Sequence, residues 1–147
     1  ASQPSITLLE RYLKRPELNA LFQAADCYVS LHRSEGYGLT LAESMYLGKP
    51  VIATGWSGNM DFMTPSNSLP VNYRLVEIDK DYGPYKKGQT WADPDIDHAA
   101  ECMKQVANNP DFARKIGETA KADIRASHDP ARVGDLIRKR MQDIAST

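Results

Sequence analysis

Apolar positions along the chain fall into short continuous runs, separated by stretches with helical spacing. Ile6–Leu9 (ITLL) is the first run and reads as a strand, closed by Glu10 and Arg11. Pro16 suits the first turn of a helix. Within Glu17–Ala25, Leu18, Leu21, Phe22 and Ala25 share one helical face, and Asp26 ends it. Cys27–Leu31 (CYVSL) predicts a second strand, and His32–Gly38 a loop with two glycines. Leu39–Leu47 then reads as a helix with Gly48 at a left-handed C-terminal cap. Pro50–Thr54 (PVIAT) predicts a third strand, proline being tolerated at its first residue.

Beyond Thr54 the pattern loosens. Gly55–Asn59 is turn-rich, with Asn59 placed to cap a short helix containing Asp61–Met63. Leu69–Ile78 suggests one more strand followed by an extended excursion, and Asp79–Thr90 a polar loop. Three amphipathic helices follow. They cover Asp97–Val106, Pro110–Ser127 (Phe112, Ile116 and Ala120 on one stripe), and a last one opened by Pro130, with Val133, Leu136, Ile137, Met141 and Ile144 apolar. Their stripes are expected to pack on the sheet or on a partner domain.

Alternating strands and helices at this spacing imply right-handed crossovers in a parallel sheet. Strands that are apolar throughout, rather than alternating, belong to a sheet covered by helices on both faces. The fold class is therefore α/β. We expect a body over residues 1–128 and a C-terminal helix over 129–147 that packs on this body or on another domain.

Composition narrows the picture only a little. At 147 residues, 41% hydrophobic and 25% charged, the chain suits one globular body. A net charge of −1 gives no support to a nucleic-acid partner. Cys27 and Cys102 belong to no CxxC pair and read as two reduced, buried thiols. No run approaches the length of a membrane span, and the first residues lack the pattern of a signal peptide. The basic residues Lys86-Lys87 and Arg138-Lys139-Arg140 read as solvated faces.

Candidate chemistry concentrates in Ser34–Thr54. In open α/β sheets, ligands bind beyond the carboxyl ends of the strands. Gly36-Tyr37-Gly38 leads into the N-terminus of the 39–47 helix, where free N–H groups and the helix dipole favour an anion such as a phosphate. Glu35 precedes this turn. Glu43 lies one turn into the helix, the only charge among Leu39, Leu41, Ala42, Met45, Tyr46 and Leu47. Such a carboxylate needs hydrogen-bond donors. The hydroxyls of a sugar or ribose would serve, and so would solvent, Lys49 or Arg33.

The stretches Asp26–Leu39 (DCYVSLHRSEGYGL), Ala42–Met45 (AESM) and Gly48–Thr54 (GKPVIAT) resemble the retaining group 1 glycosyltransferases built of two Rossmann-like domains. That family carries two glutamates separated by seven residues, a Glu-Gly-(Phe/Tyr)-Gly-Leu turn and Gly-x-Pro-Val-(Ile/Val)-Ala. All three occur here in order, and Leu18–Asp26 resembles the helix before that strand. The resemblance implies a partial Rossmann-like, nucleotide-sugar-binding C-terminal domain. It implies that Glu35, also the candidate catalytic residue, contacts the donor sugar, and that Glu43 holds the ribose hydroxyls. The backbone of Gly36, Tyr37, Gly38, Leu39 and Thr40 would face the donor. His32 is a candidate donor contact that as a loop histidine needs no function, and residues from Arg11 to Leu13 lie where the base packs.

One departure stands out. The family's Gly-Gly-x-x-Glu after the third strand is here Ser57-Gly58-Asn59-Met60-Asp61, and no donor role passes to Asp61. Tyr85–Asp95 resembles a segment of some members, with Trp91 read as packing. The implied reaction is glycosyl transfer from a nucleotide-diphosphate sugar to an acceptor hydroxyl with retained configuration, without metal or other cofactor. The family's cationic diphosphate clamp and its acceptor domain are expected before Ala1, so the isolated chain is expected to be inactive. The acceptor would be a glycan or lipid-linked sugar. The parent enzyme would be cytoplasmic, with peripheral association at the inner membrane face as a further expectation. A nucleotide-sugar-binding fragment without turnover is the alternative. A glycosidase acid pair formed by Glu35 and Glu43 is disfavoured, because a glycine turn on a parallel sheet gives no reason for two carboxylates to flank a scissile bond.

Overall fold

A computed structural model describes residues 6–146. The elements run α1 (Arg15–Ala24), β1 (Tyr28–Ser30), α2 (Leu39–Tyr46), β2 (Val51–Thr54), a 3-10 turn (Gly58–Asp61), β3 (Leu69–Val71), β4 (Tyr73–Glu77), β5 (Thr90–Pro94), α3 (Ile96–Asn108), α4 (Pro110–Ser127) and α5 (Pro130–Ala145). Strands β1, β2 and β3 form a parallel sheet in that order, with Val29 opposite Ile52 and Ile52 opposite Leu69. The fold is α/β, as the run of apolar strands and amphipathic helices predicts.

The central strand explains its own sequence. Every residue of β2 is buried. Val51 and Ala53 pack with Leu41, Ala42 and Met45 of α2, Phe62 and Met63, and Ala120 and Ile124 of α4. Ile52 packs in a second cluster with Leu69, Val71, Ala99, Cys102, Val106 and Ile116. A strand covered on both faces needs an apolar side chain at each position. Helix α2 closes at Gly48, whose φ of +79° supplies the expected left-handed cap. Its carbonyl lies against α4 so closely that a Cβ on Gly117 would stand 2.2 Å from it.

Helix starts follow local chemistry. The Glu17 carboxylate accepts from the Lys14 N–H at 2.9 Å, and Pro16 sits in the first turn of α1. Asp95 caps α3 by accepting from the His98 N–H at 3.0 Å, and Asp129 caps α5 by accepting from Ala131 N–H at 2.8 Å.

Several expectations are corrected. Ile6–Leu9 forms no strand: Ile6, Leu8 and Leu9 are exposed and pair with no neighbour in either sheet. A four-residue run becomes a strand only where a sheet edge receives it. Asn59 does not cap the short helix but lies inside the 3-10 turn, whose N-cap is Ser57. Its amide donates at 3.0 Å to the Thr54 carbonyl, a tie back to β2 that outweighs capping. Leu69–Ile78 is two strands, not one: Asn72 separates β3 from β4, and β4 leaves the sheet to pair antiparallel with β5. The predicted loop therefore ends at Gln89, and Thr90–Pro94 is a strand that its Asp and Pro content conceals. On α5, the helix expected to pack on this body or on another domain, Val133, Leu136, Ile137, Met141 and Ile144 are all exposed. Among the described residues, no helix is long and apolar enough to cross a membrane.

Candidate functional site

The loops after β1 and β2 meet at the carboxyl end of the sheet and present the glycine turn. Gly38 is the N-cap of α2 and takes φ +90°. A Cβ there would meet Leu41 Cδ1 at 2.8 Å, so glycine is required by conformation and by space. No side chain caps α2, leaving its first N–H groups without a partner inside the helix. The sequence expectation of an open helix N-terminus behind a glycine turn is met.

The turn is held from the second loop. The Glu35 carbonyl accepts from Gly58 N–H at 3.5 Å and from the Ser57 hydroxyl. Gly58 packs directly on Gly36, since a Cβ on Gly58 would stand 1.8 Å from the Gly36 carbonyl oxygen. Ser57 has φ +83°, the only non-glycine residue with positive φ among the described residues. It stands where the resembling family carries glycine. The serine keeps the left-handed backbone at a cost in strain, and its hydroxyl gains the tie to Glu35.

Glu35 is half-buried as a residue, and its Oε1 accepts from the Gly36 N–H at 3.0 Å on the exposed side. Glu43 sits apart, on the α1 side of α2. Its Oε1 pairs with Arg15, not with Lys49 or Arg33, and its Oε2 is buried without a hydrogen-bond partner. Lys49 instead donates to the Gln23 carbonyl at 2.7 Å. Arg33 pairs with Asp93 at 2.8 Å and lies 5.0 Å over the Trp91 ring, while its carbonyl accepts from Ala92 N–H at 2.9 Å. The β4–β5 hairpin is thereby attached to the loop that carries Glu35.

The other predicted residues serve mainly within the chain. Tyr37 turns its ring onto Phe62 and its hydroxyl to His128 Nε2. Partial burial, with Asp61 nearby, raises its pKa. His128 Nδ1 lies 2.7 Å from the Ser127 hydroxyl, which itself donates to the Asp123 carbonyl, so Nδ1 donates and Nε2 accepts from Tyr37. Thr40 accepts from the Tyr28 hydroxyl at 2.9 Å, and Leu39 is exposed.

His32 ties the two loops together. Its Nε2 lies 3.1 Å from the Trp56 carbonyl, which can only accept, so Nε2 carries the proton and Nδ1 accepts from Ser30 at 3.2 Å. Both ring nitrogens are engaged. Trp91 packs between Tyr82 and Tyr85, as expected. Lys86 is exposed but paired with Asp81 at 2.8 Å, not simply solvated. Arg11 pairs with Glu17 at 2.7 Å, and Tyr12 projects into solvent. Both cysteines are free thiols, and burial pushes the Cys27 thiol up to about 11.

Sequence reasoning missed Arg15 as the partner of Glu43, the tie from Ser57 to Glu35 and the inward turn of Asn59. Arg15 carried no signal, because its partner lies 28 positions away on another helix. Ser57 was detectable only as a serine standing in a glycine position.

Residues 8–123 match the family model described as glycosyl transferases group 1. Two relatives are named trehalose synthase. The protein from Pyrococcus horikoshii is 26% identical over 110 residues, covering 74% of this chain and 21% of that protein. The one from Rubrobacter xylanophilus is 24% identical over 111 residues, covering 76% and 21%. The chain thus spans about a fifth of the length of these relatives. With a family match over most of its length and the family's glycine turn and paired glutamates seated at the end of a parallel sheet, the chain belongs to the group 1 glycosyltransferases.

Proposed function

We propose that this chain supplies the donor side of a glycosyl transfer from a nucleotide-diphosphate sugar to an acceptor hydroxyl, with the anomeric configuration retained. The observation that carries the proposal is the Glu35–Gly38 turn, pinned from Ser57 and Gly58 above the uncapped N-terminus of α2. Negative charge builds on a departing diphosphate as the glycosidic bond breaks. Preorganised N–H groups at a helix N-terminus stabilise that charge without reorganising. Glu35, fixed next to this turn, holds hydroxyls of the sugar as its ring gains positive charge. Glu43, one turn along α2, accepts from the ribose.

The two relatives are named for trehalose, a disaccharide, and a sugar hydroxyl is the acceptor class we carry over from that name. A glycan or lipid-linked sugar belongs to the same class. Because the chain spans about a fifth of these relatives, the acceptor side is assigned to chain outside it. The isolated chain is then a donor-binding unit without turnover of its own.

The test is product analysis on the whole protein. NMR of the glycoside formed from an α-linked donor should show an α-linkage, and a β-linkage would overturn retention. Calorimetry of this chain with nucleoside diphosphates should show weak binding at most. Micromolar affinity that Glu43→Ala abolishes would show that the chain is a complete donor site by itself.

A further inference from the structure

We infer that the cleft at the base of the β4–β5 hairpin is a sugar subsite, in which Tyr73 stacks on a pyranose ring and Arg74 and Asp93 hold its hydroxyls. The inference rests on the proposed acceptor class, a sugar hydroxyl, and gives this chain one wall of the acceptor side. The cleft has a volume of about 440 Å³, and Tyr73, Arg74, Asp93, Asp95 and Ile96 line it. That volume lies in the range of small-molecule sites. Its place is set by the sheet. Arg33, Trp56 and Asn72 follow the carboxyl ends of β1, β2 and β3, the end at which open α/β sheets bind ligands. Each of the three is tied to the hairpin or its base. The Arg33 carbonyl accepts from Ala92 N–H at 2.9 Å, and the Asn72 carbonyl accepts from Asp95 N–H at 2.8 Å. The Trp56 and Tyr73 rings pack with their centroids 5.3 Å apart. The cleft is therefore fixed to the same loops that carry Glu35 and His32.

Its hydrogen-bonding groups are already set in place. Asp93 Oδ1 accepts from Arg33 at 2.8 Å, and Oδ2 accepts from Arg74 Nη2 at 3.0 Å and Nε at 3.2 Å. These bonds orient the carboxylate and leave it acceptor capacity, while Arg74 keeps further N–H donors. Charge decides the ligand class. Arg33 and Arg74 offset Asp93 and Asp95, so this wall has no net charge to recruit a phosphate. Donors and acceptors side by side suit hydroxyls, which both donate and accept. Tyr73, braced by Trp56, is still 38% exposed, and Ile96 is exposed as well. An aromatic face and an aliphatic side chain receive the C–H faces of a pyranose, and the charged rim receives its hydroxyls.

The experiment is saturation-transfer NMR on the whole protein with the methyl glycosides of glucose, mannose and galactose. Uridine, adenosine and guanosine diphosphates are present together, to occupy the donor position. At least one glycoside is expected to bind under these conditions. Tyr73→Ala should weaken it about tenfold and Tyr73→Phe should stay within about twofold of wild type, because the ring and not the hydroxyl stacks. Arg74→Ala should weaken binding about fivefold, the scale of a lost hydrogen bond. Arg74 is largely exposed, so this variant tests the cleft even if Tyr73→Ala fails to fold. Absence of glycoside binding, or a loss below about twofold in both Tyr73→Ala and Arg74→Ala, would overturn the inference. If the glycoside binds only without the diphosphates and ignores Tyr73, it occupies the donor position; the inference then falls and the donor-site reading stands. If Tyr73-dependent binding is found in a protein whose product shows inverted configuration, the retaining mechanism falls and the subsite stands.

Discussion

Gly58 lies against Gly36 with no room for a methyl group between them: a Cβ on Gly58 would stand 1.8 Å from the Gly36 carbonyl oxygen. This contact joins the loop after β2 to the glycine turn after β1, so the turn's position depends on a residue outside it. Gly58→Ala must push the two loops apart. We expect a loss of about 1–3 kcal/mol in stability, typical of overpacking, and a fall in transfer activity. Gly117→Ala is the control, because its Cβ would meet the Gly48 carbonyl at 2.2 Å, at the far end of α2. Thermal melts should show both variants destabilised. At temperatures where both remain folded, only Gly58→Ala should lose activity.

Ser57 holds a left-handed backbone that glycine adopts freely, and its hydroxyl binds the Glu35 carbonyl. Ser57→Gly relieves strain and removes that bond, so its stability should stay within about 1 kcal/mol of wild type. Ser57→Val keeps the strain, adds branching and loses the bond, and should be destabilised by more than Ser57→Gly. Equal melting temperatures for the two variants would refute the account of this position.

The two glutamates should fail in different ways. Each lost polar contact costs about 1–3 kcal/mol, so Glu35→Ala and Glu43→Ala should each reduce activity of the whole protein tenfold or more. Glu35 is assigned to the sugar, and its removal should fall mainly on kcat. Glu43 is assigned to the nucleotide, and its removal should fall mainly on KM for the donor. Wild-type rates in both variants would remove these residues from the reaction.

Much of this geometry was readable in the sequence where local rules decide it. Gly48, Pro16 and the apolar run Val51–Thr54 each state a backbone or burial requirement by themselves, and each is met. The glycine turn was legible for the same reason. What escaped is non-local. Arg15 reaches Glu43 across helices, and Asn59 turns inward to Thr54 when capping statistics place it outside. Thr90–Pro94 becomes a strand only because Tyr73–Glu77 lies beside it. The exposed stripe of α5 was legible as apolar, but its periodicity names no partner.

Asn67 is a buried joint between the 3-10 region and α4. Its amide donates to the Phe62 carbonyl at 3.0 Å and to Asp123 at 2.9 Å, while its oxygen accepts from Thr64 N–H at 2.8 Å. Asn67→Ala strands the buried Phe62 carbonyl and removes two further bonds, to Thr64 and Asp123, and a buried unsatisfied group costs about 1–3 kcal/mol. Chemical denaturation should show a loss of at least about 2 kcal/mol, on the same scale. Asn67→Asp removes both donated bonds and sets a carboxylate beside Asp123, so it should be no better than Asn67→Ala. A neutral result in either variant would mean that water replaces these bonds.

Cys27 gives a pH-dependent test. Burial disfavours its thiolate and pushes the thiol from an ordinary value of 9.0 up to about 11, with Asp26 adding to the effect. In the unfolded chain this thiol ionises near its ordinary value. Between about pH 9 and 11 the unfolded state therefore gives up a proton that the folded state keeps, and stability falls as the pH rises through that window. Below pH 9 the group contributes no pH dependence. Reactivity follows the same equilibrium. At pH 8 the folded thiol should carry about a hundredfold less thiolate than an ordinary cysteine, and its alkylation should be slower by about that factor. Alkylation followed by mass spectrometry should show the Cys27 rate still climbing at pH 10, where a free thiol has levelled off. A rate that saturates near pH 9 would mean that the thiol is open to water and that the edge of β1 beside it is not packed as described.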